Sequence, residues 1–363
     1  MNPNHRLHDL GQSLWLDNIT RTLIDDGTLA RWIDELAISG LTSNPSIFEK
    51  AINDSDAYQD DIRNSRAAST EDLFFDLAID DLRRAADLFA PIHRDTAGDD
   101  GWVSLEVSPL LADDAEGTMQ AAVELHRRAA RDNLFIKIPG TRAGVTAIEE
   151  AIHAGVPINV TLLFSPTQTL AAADAWANGV ERRLRDGLDP HVASVLSLFI
   201  SRWDVAVHAD VDAALRNRLG IAMAQKTYRD YLAWLATPRV RRLVDAGARP
   251  PRLLWASTGT KDPAASDVLY PEALAAANTI NTLPDKTLLA LADHGRVGAL
   301  MPADGGDCDS VIAAHATAGI DVDVLAERLQ REGAEAFDAS WRKLLAGIED
   351  KRRHDAAATQ ASE

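Results

Sequence analysis

Eight short runs of β-forming residues alternate with longer helical patterns between residues 13 and 283, and this alternation limits the fold more than any other feature. The runs are SLWLDNI (13–19), SGLTSN (39–44), GWVSLEV (101–107), NLFIKIP (133–139), PINVTLLF (157–164), VASVLSLFI (192–200), RLLWAST (252–258) and ANTINTL (277–283). Strand, helix, strand repeated in this way builds a parallel sheet, and eight strands suggest that the sheet closes. The expected fold class is therefore α/β, a single (β/α)8 barrel with extra helices. A doubly wound open sheet is the main competitor, but the chain has neither a G-x-G-x-x-G after its first strand nor a P-loop.

Several of the intervening helices announce their ends. STEDLFFDLAIDDLRRAADLFA (69–90) offers Ser69 or Thr70 as N-cap before an acidic first turn, and PTQTLAAADAWANGVERRL (166–184) has proline near its start and Gly187 beyond its basic end. AALRNRLGIAMAQKTYRDYLAWLA (213–236) reads as one helix. VDVLAERLQREGAEAFDASWRKLLAGIEDKRR (322–353) is longer than a barrel helix needs, so it should pack as a C-terminal helical arm. No linker composition divides the chain. Residues 1–350 are expected to form one domain and 351–363, ending in DAAATQASE, a frayed tail.

Composition narrows the partners. With 46% hydrophobic and 25% charged residues the 363-residue chain can bury a sizeable core. A net charge of −18 opposes a surface that tracks nucleic-acid phosphates. No apolar run is long enough to cross a bilayer, no secretory signal follows Met1, and the lone Cys308 allows no internal disulfide. A cytoplasmic protein is expected, monomeric or homodimeric, with no membrane partner.

In a closed barrel the functional side chains come from the C-terminal ends of the strands. Polar residues concentrate at those ends: Asp17 at the end of the first strand, Thr42 and Asn44 at the end of the second, Glu106 on the third, Lys137 on the fourth, Asn159 and Thr161 on the fifth. Ser197 and Arg202 belong to the sixth, and Ser257 and Lys261 follow the seventh. Residues two apart on a strand point the same way, so Asn159 and Thr161 share a face, as do Phe135, Lys137 and Pro139. Each has an ordinary alternative taken singly. Asp17-Asn18 and Thr42-Ser43-Asn44-Pro45 could be simple turns, Arg202 or Lys261 could form surface ion pairs, and a strand-end lysine commonly extends to solvent. Their shared placement is what favours a site.

Lys137 is the sharpest member, because its neighbours Leu134, Phe135, Ile136 and Ile138 are apolar. A buried ammonium is costly unless it is paired or deprotonated, and an apolar setting favours a free amine able to attack a ketone. Glu106 with Thr161 could move protons through a water, and Asp17 could take the proton from a substrate hydroxyl as the adjacent carbon–carbon bond breaks. Two carboxylates would also suit metal binding or glycoside hydrolysis, but no histidine-rich spacing accompanies them and neither needs the lysine. Arg202, Ser257 and Lys261 fit a substrate phosphate at the loops after the last strands.

At these residues the sequence resembles the transaldolase family. GLTSNPSIF (40–48) and LFIKIPGTRAG (134–144) are similar to its two signatures, and LWLDN, SLEVSP, INVTLLFSPTQ and SLFISRWD follow in its order. The resemblance implies a lysine Schiff base on Lys137 and reversible transfer of a dihydroxyacetone unit between phosphorylated sugars, without metal or organic cofactor. By the same resemblance Asp17 is the acid/base at the cleaved bond, and Glu106 and Thr161 manage the water. Asn44 and Asn159 hold hydroxyls of the three-carbon unit, Ser197 contacts substrate and Arg202 binds phosphate. Many members read A-S-F-R-N after strand seven where this chain reads ASTGTKDP, so Lys261 is expected to stand in for an arginine. The chain's length resembles the longer subgroup with an extended C-terminal helix. An aldolase-type lyase releasing free dihydroxyacetone, and a non-catalytic phosphosugar-binding barrel, are the competing functions.

Overall fold

The computed structural model describes residues 2–360. All eight expected strands are present: β1 Gln12–Leu16, β2 Ile38–Leu41, β3 Val103–Glu106, β4 Leu134–Pro139, β5 Ile158–Leu163, β6 Ser194–Phe199, β7 Arg252–Ala256 and β8 Thr279–Leu283. They pair in parallel in the order β2-β1-β8-β7-β6-β5-β4-β3. Contacts between β2 and the start of β3 bring the two edges together. Gly40 bridges Trp102, Leu41 N–H donates to Trp102 O at 2.9 Å, and Gly101 N–H donates to Ser39 O at 2.8 Å. The result is the expected (β/α)8 barrel.

Gly40 marks why the edges meet so closely. A Cβ there would lie 2.7 Å from both Trp102 O and the Trp15 ring. Gly40→Ala is expected to destabilise the protein by roughly 1–3 kcal/mol through overpacking, with a lower denaturant midpoint and an unchanged m-value in urea titration.

Alternation along each strand sorts the side chains. On β4, Leu134, Ile136 and Ile138 join the large core between sheet and helices, while Phe135 packs inside the barrel on Trp102, ring centroids 4.1 Å apart. Inside the barrel, Trp15 Nε1–H donates to the buried Asp100 carboxylate at 2.7 Å. Aromatic rings and this bonded carboxylate fill the lower barrel, leaving its C-terminal end for polar groups.

Three helices differ from expectation at their ends. The helix Thr70–Asp95 continues through Pro91, which lies near its end and removes one ladder donor. The helix expected from 213 begins only at Leu219, because the buried Asp204 carboxylate accepts from Leu219 N–H at 2.9 Å and from Gly220 N–H. That carboxylate caps the helix start, and Asn217 before it has φ +59°. The C-terminal helix runs Val322–Gln360, past the Arg353 expected as its end, and 361–363 lie outside the described residues.

This last helix spans about 58 Å at ~1.5 Å per residue, and it crosses the barrel mouth. Gln330 Nε2 donates to Gly140 O and Leu162 O, each at 2.9 Å, tying the helix to the ends of β4 and β5. Farther along, Ser340 bonds Ser46 and Lys343 pairs with Glu49, both at 2.7 Å, fixing it against the helix Pro45–Asn53. Buried Trp341 packs on Phe74 with centroids 4.9 Å apart. Among the described residues no helix is long and apolar enough to cross a membrane.

Candidate active site

Strand register places the central groups side by side. Glu106 pairs with Lys137 across β3 and β4, and Lys137 pairs with Asn159 across β4 and β5. Lys137 Nζ stands 3.3 Å from Glu106 Oε2 and donates to Ser43 O at 3.0 Å. Both side chains are almost wholly buried, at 6% and 5% exposure. The apolar setting expected for Lys137 is thus found on one side only. Alternation puts Leu134, Ile136 and Ile138 on the outer face and Phe135 inside the barrel, while the amine meets a carboxylate and a carbonyl there.

Asp17 lies one residue beyond β1, where Thr42 Oγ1–H donates to its Oδ1 at 2.8 Å. The Thr42 hydroxyl also lies 2.8 Å from that of Thr282 on β8. Burial raises the Asp17 pKa above the ordinary 3.8, opposed by Lys137 and by the Thr42 hydrogen bond, while Asp285 adds to the rise. Burial likewise raises Glu106, against the pull of Lys137. Two buried carboxyls whose pKa values are raised therefore flank the lysine at this end of the barrel.

The end of β5 is irregular. Its pairing with β6 shifts between Val160 and Leu163, and Leu162 adopts φ +57°, a backbone that a branched residue takes only when neighbours hold it there. Gln330 supplies one such hold through Leu162 O. Thr161, just before this bulge, has a buried hydroxyl with no protein hydrogen-bond partner. Such a group normally bonds a water or ligand.

Asn44 caps the helix Pro45–Asn53, its Oδ1 accepting from Ile47 N–H at 3.1 Å, as the capping-turn alternative expects. Ser257 has φ +56°, and its hydroxyl lies 2.9 Å from that of Ser201. Arg202, in the first turn after β6, is half-buried with its guanidinium 4.9 Å from the Phe199 ring centroid. Lys261 is exposed on the loop after β7.

A cavity of about 120 Å³ at the barrel mouth joins these groups. Asp17, Thr42, Asn44, Lys137 and Thr161 line it on one side. Ser197, Arg202, Ser257 and Lys261 line it on the other. Glu106 stands behind Lys137. Asn159 is fully buried and lies beneath the lining, where its Oδ1 accepts from Ser197 Oγ at 2.7 Å and its Nδ2 donates to Ser104 Oγ at 3.1 Å.

Sequence reasoning missed Thr282, Phe199 and Phe337, which also line the cavity. Thr282 carried a usable signal, since it stands two residues from Ile280 on a strand whose inner face is fixed by that period. Phe337 carried none beyond the apolar stripe of a long helix.

A profile of the family described as Transaldolase/Fructose-6-phosphate aldolase matches residues 14–348. A protein named transaldolase from Thiobacillus denitrificans is 44% identical over 358 residues, covering 96% of this chain and all of that one. Proteins of the same name from Neisseria gonorrhoeae and Saccharopolyspora erythraea are 41% and 40% identical, covering 93% and 95% of this chain and 97% and 96% of theirs.

Proposed function

The chain belongs to the transaldolase and fructose-6-phosphate aldolase family, and on that premise we propose that it transfers a dihydroxyacetone unit from a ketose phosphate to an aldose phosphate through a Schiff base on Lys137. The observation that carries this reading is the buried Lys137 amine 3.3 Å from Glu106 at the mouth of a closed barrel. The donor would be sedoheptulose 7-phosphate or fructose 6-phosphate, and the acceptor glyceraldehyde 3-phosphate or erythrose 4-phosphate. We place the reaction in the cytoplasm.

An ammonium must lose a proton before it attacks, and Glu106 Oε2 is the near base. The amine then adds to the ketone carbon. The carbinolamine loses water to give the imine, with its protons moved between Glu106 and a water held by the Thr161 hydroxyl. Asp17 removes the proton from the hydroxyl on the far carbon of the bond that breaks, that carbon becomes the aldehyde, and the aldose phosphate departs. The remaining carbanion is delocalised into the imine as an enamine. It attacks the acceptor aldehyde, Asp17 returns the proton to the new alkoxide, and hydrolysis frees the product ketose.

Around this core, Asn44 and Ser197 hold hydroxyls of the three-carbon unit, with Asn159 fixing Ser197 from below. Arg202, Ser257 and Lys261 receive the phosphate. Arg202→Ala is expected to raise KM for phosphorylated ketoses roughly 10- to 100-fold, the value of a charge-assisted hydrogen bond. Steady-state kinetics check this, and a loss confined to kcat would contradict the assignment.

Transfer and simple cleavage differ in what happens to the enamine. Incubation with fructose 6-phosphate, with and without erythrose 4-phosphate, is expected to yield glyceraldehyde 3-phosphate steadily only when acceptor is present. Equal rates without acceptor, with free dihydroxyacetone accumulating, would make the protein an aldolase instead.

A further inference from the structure

Glycine weakens a helix, yet the C-terminal helix contains two, Gly333 and Gly347. Each stands where another element comes too close for a side chain. At Gly347 a Cβ would lie 2.0 Å from Asn53 Oδ1, at the packing seam with the helix Pro45–Asn53. At Gly333 it would lie 2.8 Å from Leu162 Cδ2 and 3.0 Å from Arg202 Nη1. One of the two glycines therefore makes room for a side chain of the active-site cavity.

One turn later the same helix presents Phe337, which is buried, with its ring centroid 5.9 Å from Arg202 Cζ and 6.0 Å from Lys137 Nζ. Arg202 forms no ion pair among the described residues, although it feels the charge of Glu106. Its place is set by packing against Phe199 and Phe337 rather than by a carboxylate. Aromatic faces attract a guanidinium without consuming its N–H groups, which stay available for bidentate bonding to an anion. The two Gln330 bonds to Gly140 O and Leu162 O lock the register of this stretch, one turn before Gly333.

We propose that the C-terminal helix positions the anion-binding arginine: Gly333 and Phe337 set the location and plane of Arg202, and thereby the enzyme's preference for phosphorylated sugars. This rests on the reading of Arg202 as a phosphate ligand. Gly333 and Phe337 are positioning residues, acting on the phosphate through Arg202.

Gly333→Ala is the decisive variant. The atoms its methyl group meets belong to the flexible ends of Leu162 and Arg202, which can yield, and alanine favours the helix over glycine. With fructose 6-phosphate as donor, its KM and the inhibition constant of inorganic phosphate are expected to rise roughly 3- to 30-fold, the range of a partly desolvated cation–π contact. The thermal midpoint should not fall, and kcat/KM for unphosphorylated fructose should hold. Phe337→Leu should move the same two constants in the same direction. In an Arg202→Ala background, Gly333→Ala should have no further effect.

Unchanged constants would overturn the proposal. So would an equal loss with fructose and fructose 6-phosphate, a change in kcat alone, or a full Gly333→Ala effect without Arg202. Borohydride trapping of the wild-type enzyme separates the two levels: if fructose 6-phosphate labels Lys137 while the Gly333 predictions fail, only this inference falls. An unlabelled Lys137 removes the functional reading beneath it.

Discussion

Lys137→Ala is expected to lower the transfer rate by about 10⁴-fold or more, the scale on which loss of a covalent nucleophile is felt. The hydrogen bond of Lys137 Nζ to Ser43 O and its ion pair with Glu106 hold the amine where the strand register has delivered it. Mass spectrometry of wild-type enzyme treated with fructose 6-phosphate and borohydride should find one three-carbon adduct, on Lys137. The alanine variant should gain none. Turnover that survives the substitution, or an adduct on another lysine, would exclude the mechanism.

The same substitution also leaves Glu106 buried without its nearest positive charge. Its pKa, already raised by burial, should rise further once Lys137 no longer opposes that effect. Stability of the alanine variant should then decline as pH rises through the Glu106 pKa, because the unfolded chain ionises this carboxyl at ordinary cost. Lys137→Met, of similar length, should share that pH dependence, whereas pairing either variant with Glu106→Gln should reduce it to the part that Asp17 contributes.

How much of this was legible follows from where the information lies. Period-two alternation reports the faces of single strands, so Phe135 and Lys137 could be aligned, and Asn159 with Thr161, before any tertiary contact was known. Eight such strands with helical connections leave few closed arrangements. Depth is another matter. Asn159 and Thr161 share a face, yet one lies beneath the cavity and the other lines it, because Asn159 stands lower on the strand and its amide is consumed by Ser104 and Ser197. The setting of Lys137 departs from expectation for a related reason: Leu134, Ile136 and Ile138 face outward, and the polar groups that touch its amine come from other strands. Phe337 and Gly333 depend on how a helix some two hundred residues later crosses the mouth, which no local pattern encodes.

Asp17→Asn is expected to slow carbon–carbon cleavage by roughly 10²- to 10⁴-fold, the usual contribution of a positioned acid/base, while making the folded protein more stable at neutral pH. The two effects share a cause. Burial raises the folded-state pKa of Asp17 above its unfolded value, more than Lys137 and Thr42 lower it. The contribution of such a group to stability is fully present below the unfolded pKa and is lost as pH rises through the folded pKa. At neutral pH the native protein therefore carries a cost for holding this carboxyl in the site, and asparagine removes it while still accepting from Thr42. Denaturant titrations at acidic and neutral pH should show the variant gaining on the wild type as pH increases, with the gap opening between the ordinary aspartate range and the raised value. Borohydride trapping should still label Lys137 when free dihydroxyacetone is supplied, since imine formation does not use Asp17. A variant less stable than wild type at neutral pH would mean that Lys137 and Lys261 outweigh burial. The pH–rate profile would then have its acid limb below the ordinary aspartate range, not above it.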